Sequence, residues 1–206
     1  MEKGYYASGD HGSHWLFVDR EGVILEVCNN ASHVRSSYHT QGPTYFSWRR
    51  DSAPVLRMRE ADQVDFHMFR GASRDRPILG GNSISAMTVE IDPDYPDLLT
   101  CAWIALPART VAVPVFMGQR RVPAGLFDGT ANELGKRTAS GGARWNAQKA
   151  RWEALERAMH TTKEALKQEV KKSLAAGKPA EADIRRLEDW SRDQAAVVIQ
   201  SQKLTD

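Results

Sequence analysis

The sequence has only two cysteines, Cys28 and Cys101, in 206 residues, so a disulfide scaffold is excluded. Each lies in an apolar, strand-like run and is expected to pack as a small buried hydrophobe. Long hydrophobic runs are missing too. Stretches such as Trp15–Val18 are far too short to span a bilayer as a helix, and Met1–Tyr6 carries no apolar signal-peptide core. Neither sign of charge dominates: 28 Lys and Arg face 26 Asp and Glu, a net charge of +2. That balance gives no footprint for a polyanionic partner, so neither a nucleic acid nor a membrane is expected. The 15 glycines and 9 prolines have no period, which excludes a collagenous or low-complexity chain. No phosphate-binding loop, G-x-S-x-G elbow, H-E-x-x-H or EF-hand loop occurs, and no cofactor or metal is expected. The compartment is left open.

What is present changes texture along the chain. Residues 1–140 hold eight of the nine prolines, and residues 143–206 are rich in Ala, Glu, Lys, Arg and Gln. The chain is therefore expected to divide into a mainly antiparallel β portion, 1–140, and a helical hairpin, 141–206. Trp15–Val18 and Val23–Val27 flank four polar residues ending in Gly22, the pattern of a β-hairpin. Further strands are expected at 83–91, 98–105 and 110–116. Their connectors, Asp92–Asp97 and Leu106–Arg109, contain proline in both cases and aspartate in the first, which is turn chemistry. Such short links force antiparallel neighbours. Near-continuous apolar residues (Ile104, Leu106, Val111, Val113, Val115, Phe116) suggest strands covered on both faces. Ala53–Arg70 has a partly helical spacing and is expected as one helix.

In the tail, Trp145, Trp152, Met159 and Leu166 recur every seven residues, with Leu155, Thr162, Val170 and Leu174 beside them. This predicts one apolar stripe on a helix of about 30 residues, with the charges elsewhere. Gly177 stops the helix and Pro179 opens the next. Ile184, Leu187, Trp190, Val197 and Val198 are expected on that helix's inner side. Two antiparallel helices packed on the rest of the chain are expected, with association of copies through the hairpin as the alternative.

Candidate chemistry is sparse. His11-x-x-His14 sits in a Gly/Ser-rich stretch with no third ligand at metal spacing. His33, His39, His67 and His160 look scattered. Thr44–Asp51 mixes aromatics with Arg49 and Arg50. Without a wider basic face it suits the edge of a small-molecule site better than a nucleic-acid stacking platform. Gly80-Gly81-Asn82-Ser83 precedes a strand and reads as a turn or a pocket-lining loop. As donors in loops beside strands, Tyr45, Arg49 and Asn82 are the candidate pocket residues, Arg49 for a substrate carboxylate.

The order of segments resembles that of a known family. His14–Val27 (H-W-L-F-V-D-R-E-G-V-I-L-E-V), Gly81–Met87 and Trp103–Gly118 are similar to successive segments of the N-terminal-nucleophile (Ntn) amide hydrolases. The branch is the one with acyl-CoA:isopenicillin N acyltransferase, linear amide C–N hydrolases and related dipeptidases. The resemblance spans roughly residues 12–200. It implies an αββα sandwich of antiparallel sheets, an α+β fold, and amide hydrolysis or acyl transfer by a chain-terminal Cys, Ser or Thr. The implied substrate is a small linear amide or peptide. The family's pattern departs here in two places. The chain opens Met1-Glu2, and Tyr45 stands where that family often has an oxyanion-hole Asn. The expectation is therefore a C-terminal portion of such an enzyme, without the nucleophile and inactive by itself. The alternative is a non-catalytic binding or protein-interaction domain.

Overall fold

The computed structural model describes residues 13–18, 24–29, 34–39, 53–61, 64–74, 85–106, 110–138 and 143–203. The chain forms two compact units, Met1–Asp51 and Ser52–Asp206, so residues 140 and 141 both fall within the second.

The first unit contains a three-stranded antiparallel meander, β1 (Ser13–Val18), β2 (Ile24–Asn29) and β3 (Val34–His39). Val18 lies opposite Ile24 and Asn29 opposite Val34, as the expected hairpin requires. The third strand was not foreseen, because Val34-Arg35-Ser36-Ser37-Tyr38-His39 has almost no apolar alternation and Tyr38 is exposed. Pairing with β2 supplies what its own pattern does not.

The second unit starts with two helices where one was expected, α1 (Ala53–Glu60) and α2 (Phe66–Ala72). The chain restarts at Asp65, whose carboxylate accepts the Met68 N–H at 2.8 Å and caps α2. Next comes a second sheet, β4 (Ala86–Glu90), β5 (Cys101–Ala105) and β6 (Val113–Phe116), in the order β4-β5-β6. Both pairings are antiparallel, as the short connectors demand. The strand expected at 98–105 begins late. Pro96–Leu99 forms a helical turn, α3, with Pro96 at its start, where a missing N–H costs nothing. Leu99 is fully buried and the strand begins at Cys101. β5 and β6 are buried or half-buried at every position, whereas β4 exposes alternate residues, Met87 and Val89. Burial on both faces thus holds for β5 and β6 only.

Gly118 follows β6, where its N–H meets the Leu98 carbonyl at 3.3 Å. A Cβ there would stand 2.8 Å from the Leu98 Cα, and backbone cannot move aside as a side-chain tip can. Gly118→Ala is expected to cost about 1–3 kcal/mol, read by thermal melting. An unchanged melting temperature would mean the Leu98 backbone yields freely.

Two helices that the sequence did not announce follow, α4 (Ala124–Phe127) and α5 (Thr130–Thr138). Between them Gly129 takes a φ of 80°, a left-handed conformation that favours glycine. The tail forms as expected: α6 (Ala143–Ala175) and α7 (Ala180–Lys203). Gly177 at φ 70° ends α6, and the Lys178 N–H returns to the Ser173 carbonyl at 3.2 Å. The helices are antiparallel, since Arg186 reaches Glu169 and Trp190 Nε1 donates to Thr162 Oγ1 at 3.3 Å. The core joins Leu99, Trp103 and Phe116 to Trp152, Met159, Leu187 and Val198. Contrary to expectation, Val197 and Thr162 are exposed. In their place α6 buries charge: Glu156, Lys163 and Lys167.

Candidate functional site

Those three charges follow the spacing 156, 163, 167, with His160 and Lys171 on the same stripe. This is the i, i+3/i+4 row of one helix face. The row lies between Trp152, Met159 and Val170, all fully buried, so the apolar residues carry the polar ones against the sheet. Each polar group then meets a partner that the fold brings from far away in sequence.

At the centre is Glu90, the last residue of β4. Its Oε1 lies 2.8 Å from His160 Nε2. Its Oε2 accepts from Lys163 Nζ at 2.5 Å and from Trp103 Nε1 at 2.6 Å. Lys163 has no exposed side chain and also reaches Glu164 Oε1 at 2.9 Å. Burial pushes the Glu90 carboxyl up, but hydrogen bonds from His160 and Lys163 outweigh it and hold the group at about 2. Aromatic rings wall the cluster. Phe66 stacks on His160 with 4.6 Å between centroids and packs against Trp103 at 4.5 Å. The Lys163 ammonium lies 5.8 and 5.7 Å from the centroids of Phe66 and Trp103, within cation–π range. His67 meets His160 edge-on at 5.0 Å. Burial, then His160 and Arg157, push the His67 imidazole below its ordinary value despite Asp65 and Glu156. It is neutral near pH 7.

Beneath this lies a second buried cluster. Glu156 Oε1 accepts from Arg70 Nη2 at 2.9 Å, from Arg74 Nη2, and from the Ala112 N–H at 2.7 Å. Both guanidinium groups also donate to the Thr110 carbonyl at 3.3 Å. All three side chains are essentially excluded from solvent. Burial pushes the Glu156 carboxyl up and the two arginines pull it below its ordinary value. Burial lowers Arg70, while Glu156 opposes that shift. Among the described residues, Nε of each arginine and Nη1 of Arg74 have no hydrogen-bond partner. Among the described residues, this dry cluster holds two cations and one anion.

Further along α6, Lys167 and Lys171 each stand 3.0 Å from Asp92 Oδ2. Asp92 Oδ1 accepts the Asp94 and Tyr95 N–H groups. Burial opposes ionisation there, and the Tyr95 N–H and the two lysines overcome it, setting Asp92 at about 2. This third cluster ties the turn after β4 to α6.

Chemically, the Glu90–His160 pair is an imidazole oriented by a carboxylate. Glu90, His160 and Glu164 offer ligand atoms within 4.8 Å of one another, a donor set suited to a divalent transition metal. The Lys163 ammonium already contacts both carboxylates, so the cationic role in this cluster is filled by the chain itself. What the geometry plainly achieves is to fasten α6 to β4.

The candidate pocket residues Tyr45, Arg49 and Asn82 lie outside the described residues, as do His11 and His33. His14 and His39, taken as loop or scattered residues, sit in β1 and β3. His67 and His160, also taken as scattered, come together. Cys101 is buried as expected, and burial drives its thiol up to about 12. The residues sequence reasoning missed are Arg70, Arg74, Glu90, Glu156 and Lys163. Their one signal was the spacing Glu156, His160, Lys163, Lys167 between Trp152 and Val170, a charged row threaded through the apolar stripe. Among the described residues no helix is long and apolar enough to cross a membrane. No protein-family model matches this chain, and no curated protein or solved structure matches it significantly.

Proposed function

We propose that the chain is part of an amide (C–N) hydrolase or acyltransferase of the N-terminal-nucleophile type and contributes scaffold rather than the attacking group. The observation that carries this reading is the sheet β4-β5-β6, antiparallel throughout, with residues of α6 and α7 sharing one core with β5 and β6. One sheet with one helical layer is what half of an αββα sandwich requires. The reading also draws on the resemblance of Gly81–Met87 and Trp103–Gly118 to successive segments of that family. Cys101 is unsuited to attack, because the thiolate is the nucleophile and a thiol near 12 supplies almost none at neutral pH.

The test compares the chain alone with the chain joined to the coding sequence in frame upstream, using linear N-acyl amides. Turnover is expected only for the joined form. An electrophilic substrate analogue, followed by mass spectrometry, is expected to label an upstream Cys, Ser or Thr and to leave Cys101 unmodified. Acylation of Cys101, or an upstream frame without a strand beginning in such a residue, would sink the proposal.

A second reading, a non-catalytic binding domain, is favoured by one feature. A groove of about 570 Å³ runs along α7, lined by Arg120, Arg121, Ile184, Arg185 and Arg192 among others. Its acids already pair with its arginines: Glu181 accepts both Arg120 Nη groups, at 2.8 and 2.6 Å. Such exposed pairs contribute little energy.

A further inference from the structure

The sheet β4-β5-β6 has two edges, and they differ. In an antiparallel ladder alternate residues of a strand bond to one neighbour, and the others point their N–H and C=O the opposite way. The Met117 N–H donates to the Thr100 carbonyl at 2.9 Å. By that alternation Ala102 and Ile104 bond toward β6, and Cys101, Trp103 and Ala105 bond toward β4. On β6 the outward groups then belong to Pro114 and Phe116, opposite Trp103 and Cys101. Pro114 has no N–H to offer, and the Phe116 N–H donates to Gln119 Oε1 at 2.9 Å. That edge is closed to a further strand.

On β4 the register sets Ala86, Thr88 and Glu90 opposite Ala105, Trp103 and Cys101. The N–H and C=O groups of Met87 and Val89 therefore point away from the sheet. Among the described residues these groups have no hydrogen-bond partner. The strand contains neither lysine nor proline, two devices that keep an edge from pairing. Met87, Val89 and the Ile91 that follows are exposed. The strand's one charge, Glu90, is turned to His160 and Lys163 of its own chain.

We infer that this edge joins two copies of the chain, β4 running antiparallel to the β4 of its partner about a two-fold axis at Thr88. The strand is its own complement in that register. Met87 lies opposite the partner's Val89, and Val89 opposite the partner's Met87, and each such pair exchanges two hydrogen bonds. Their side chains meet across the axis on the face away from α6, at the spacing of cross-strand neighbours. Glu90 falls opposite the partner's Ala86, so no like charges face each other. A charged peptide would gain nothing from an edge whose one charge is already paired, whereas a second copy brings an uncharged, apolar strand of matching register. A two-fold contact of this kind closes on itself. The inference does not depend on the amide-hydrolase reading.

The experiment uses the full ¹⁵N-labelled chain. Sedimentation velocity across a dilution series up to about 1 mM is expected to show a dimer that dissociates on dilution. Amide exchange followed by NMR locates the contact. The Met87 and Val89 amides are expected to exchange about tenfold or more slowly in the dimer than in the monomer. The Thr88 amide, already bonded within its own sheet, changes little. Val89→Pro removes an outward N–H without unmaking a bond to β5 and is expected to weaken association about tenfold or more. Met87→Lys, at an exposed position, is expected to do the same while the dilute monomer keeps its melting temperature. Val89→Ile keeps the dimer. A chain that stays monomeric at the highest concentration overturns the inference. So does a dimer in which the Met87 and Val89 amides exchange freely, since copies would then meet elsewhere, as through the helical hairpin. Undiminished association of Met87→Lys overturns it as well.

Discussion

Replacing Glu156 with alanine is expected to cost the fold about 3–5 kcal/mol, the largest effect of any single substitution proposed for this protein. The reason is the company Glu156 keeps. Its Oε1 is the acceptor for two guanidinium groups and one backbone N–H, all buried. Without it, Arg70 and Arg74 stand side by side in a dry interior, sharing the Thr110 carbonyl, with the Ser73 hydroxyl as a further acceptor for Arg70 and, among the described residues, no counter-charge. Two unneutralised buried cations cost far more than the methylene groups lost with the side chain. Chemical denaturation at pH 7 reads the change. A decisive companion is the triple variant Arg70→Met, Glu156→Leu, Arg74→Met, which removes the charges together. It is expected to recover most of the loss, because well-packed apolar residues often replace a buried ionic cluster without net cost. A loss below about 1 kcal/mol for Glu156→Ala would mean that water reaches the arginines and that the cluster is not dry.

Lys163→Met is the second, and its signature lies in pH. In the folded chain Glu90 titrates at about 2, against an ordinary value of 4.5. The stabilisation linked to that depression is complete above about 4.5 and fades as pH falls from there toward about 2. His160 shares in the depression, so Lys163 accounts for only part of it. At roughly 1.4 kcal/mol per pH unit, and with the Glu90 side chain mostly buried, the variant is expected to lose about 2–3 kcal/mol at pH 7. The gap between wild type and variant then narrows between pH 4.5 and pH 2, as Glu90 protonates and no longer needs the ammonium. Methionine keeps the length of the stem over Phe66 and Trp103, so lost packing contributes little. Denaturation curves at pH 7, 5 and 3 decide the matter. A gap that stays constant across that range would show that Lys163 acts through packing alone.

Much of the fold was legible because it is local. The hairpin at Trp15–Val27 needed only two apolar runs and a polar link. The α6–α7 hairpin needed only a repeat of seven and the pair Gly177 and Pro179. The antiparallel order of β4, β5 and β6 followed from connectors too short for a crossover. Errors arose where a local pattern met a distant neighbour. Leu98 and Leu99 read as strand, yet Pro96 starts a helical turn there, braced by the Gly118 N–H. Ala53–Arg70 read as one helix, yet capping by Asp65 divides it in two. β3 has little strand pattern and exists through its partner β2.

The candidate site was not legible, and the physical reason is distance along the chain. His160 and Lys163 stand 70 and 73 residues from Glu90, and Arg70 stands 86 from Glu156. Nothing within a window of one helix or one strand encodes those meetings. A charged residue on a helix normally faces water, so Glu156, Lys163 and Lys167 looked like a solvated face. The chain alone dictated where its longest helices run and which strands neighbour each other, since periodicity and turn chemistry act over a few residues. Only packing of α6 on the second sheet decided which of its charges are buried and with what partners, because desolvation and ion pairing depend on groups that sequence order keeps apart.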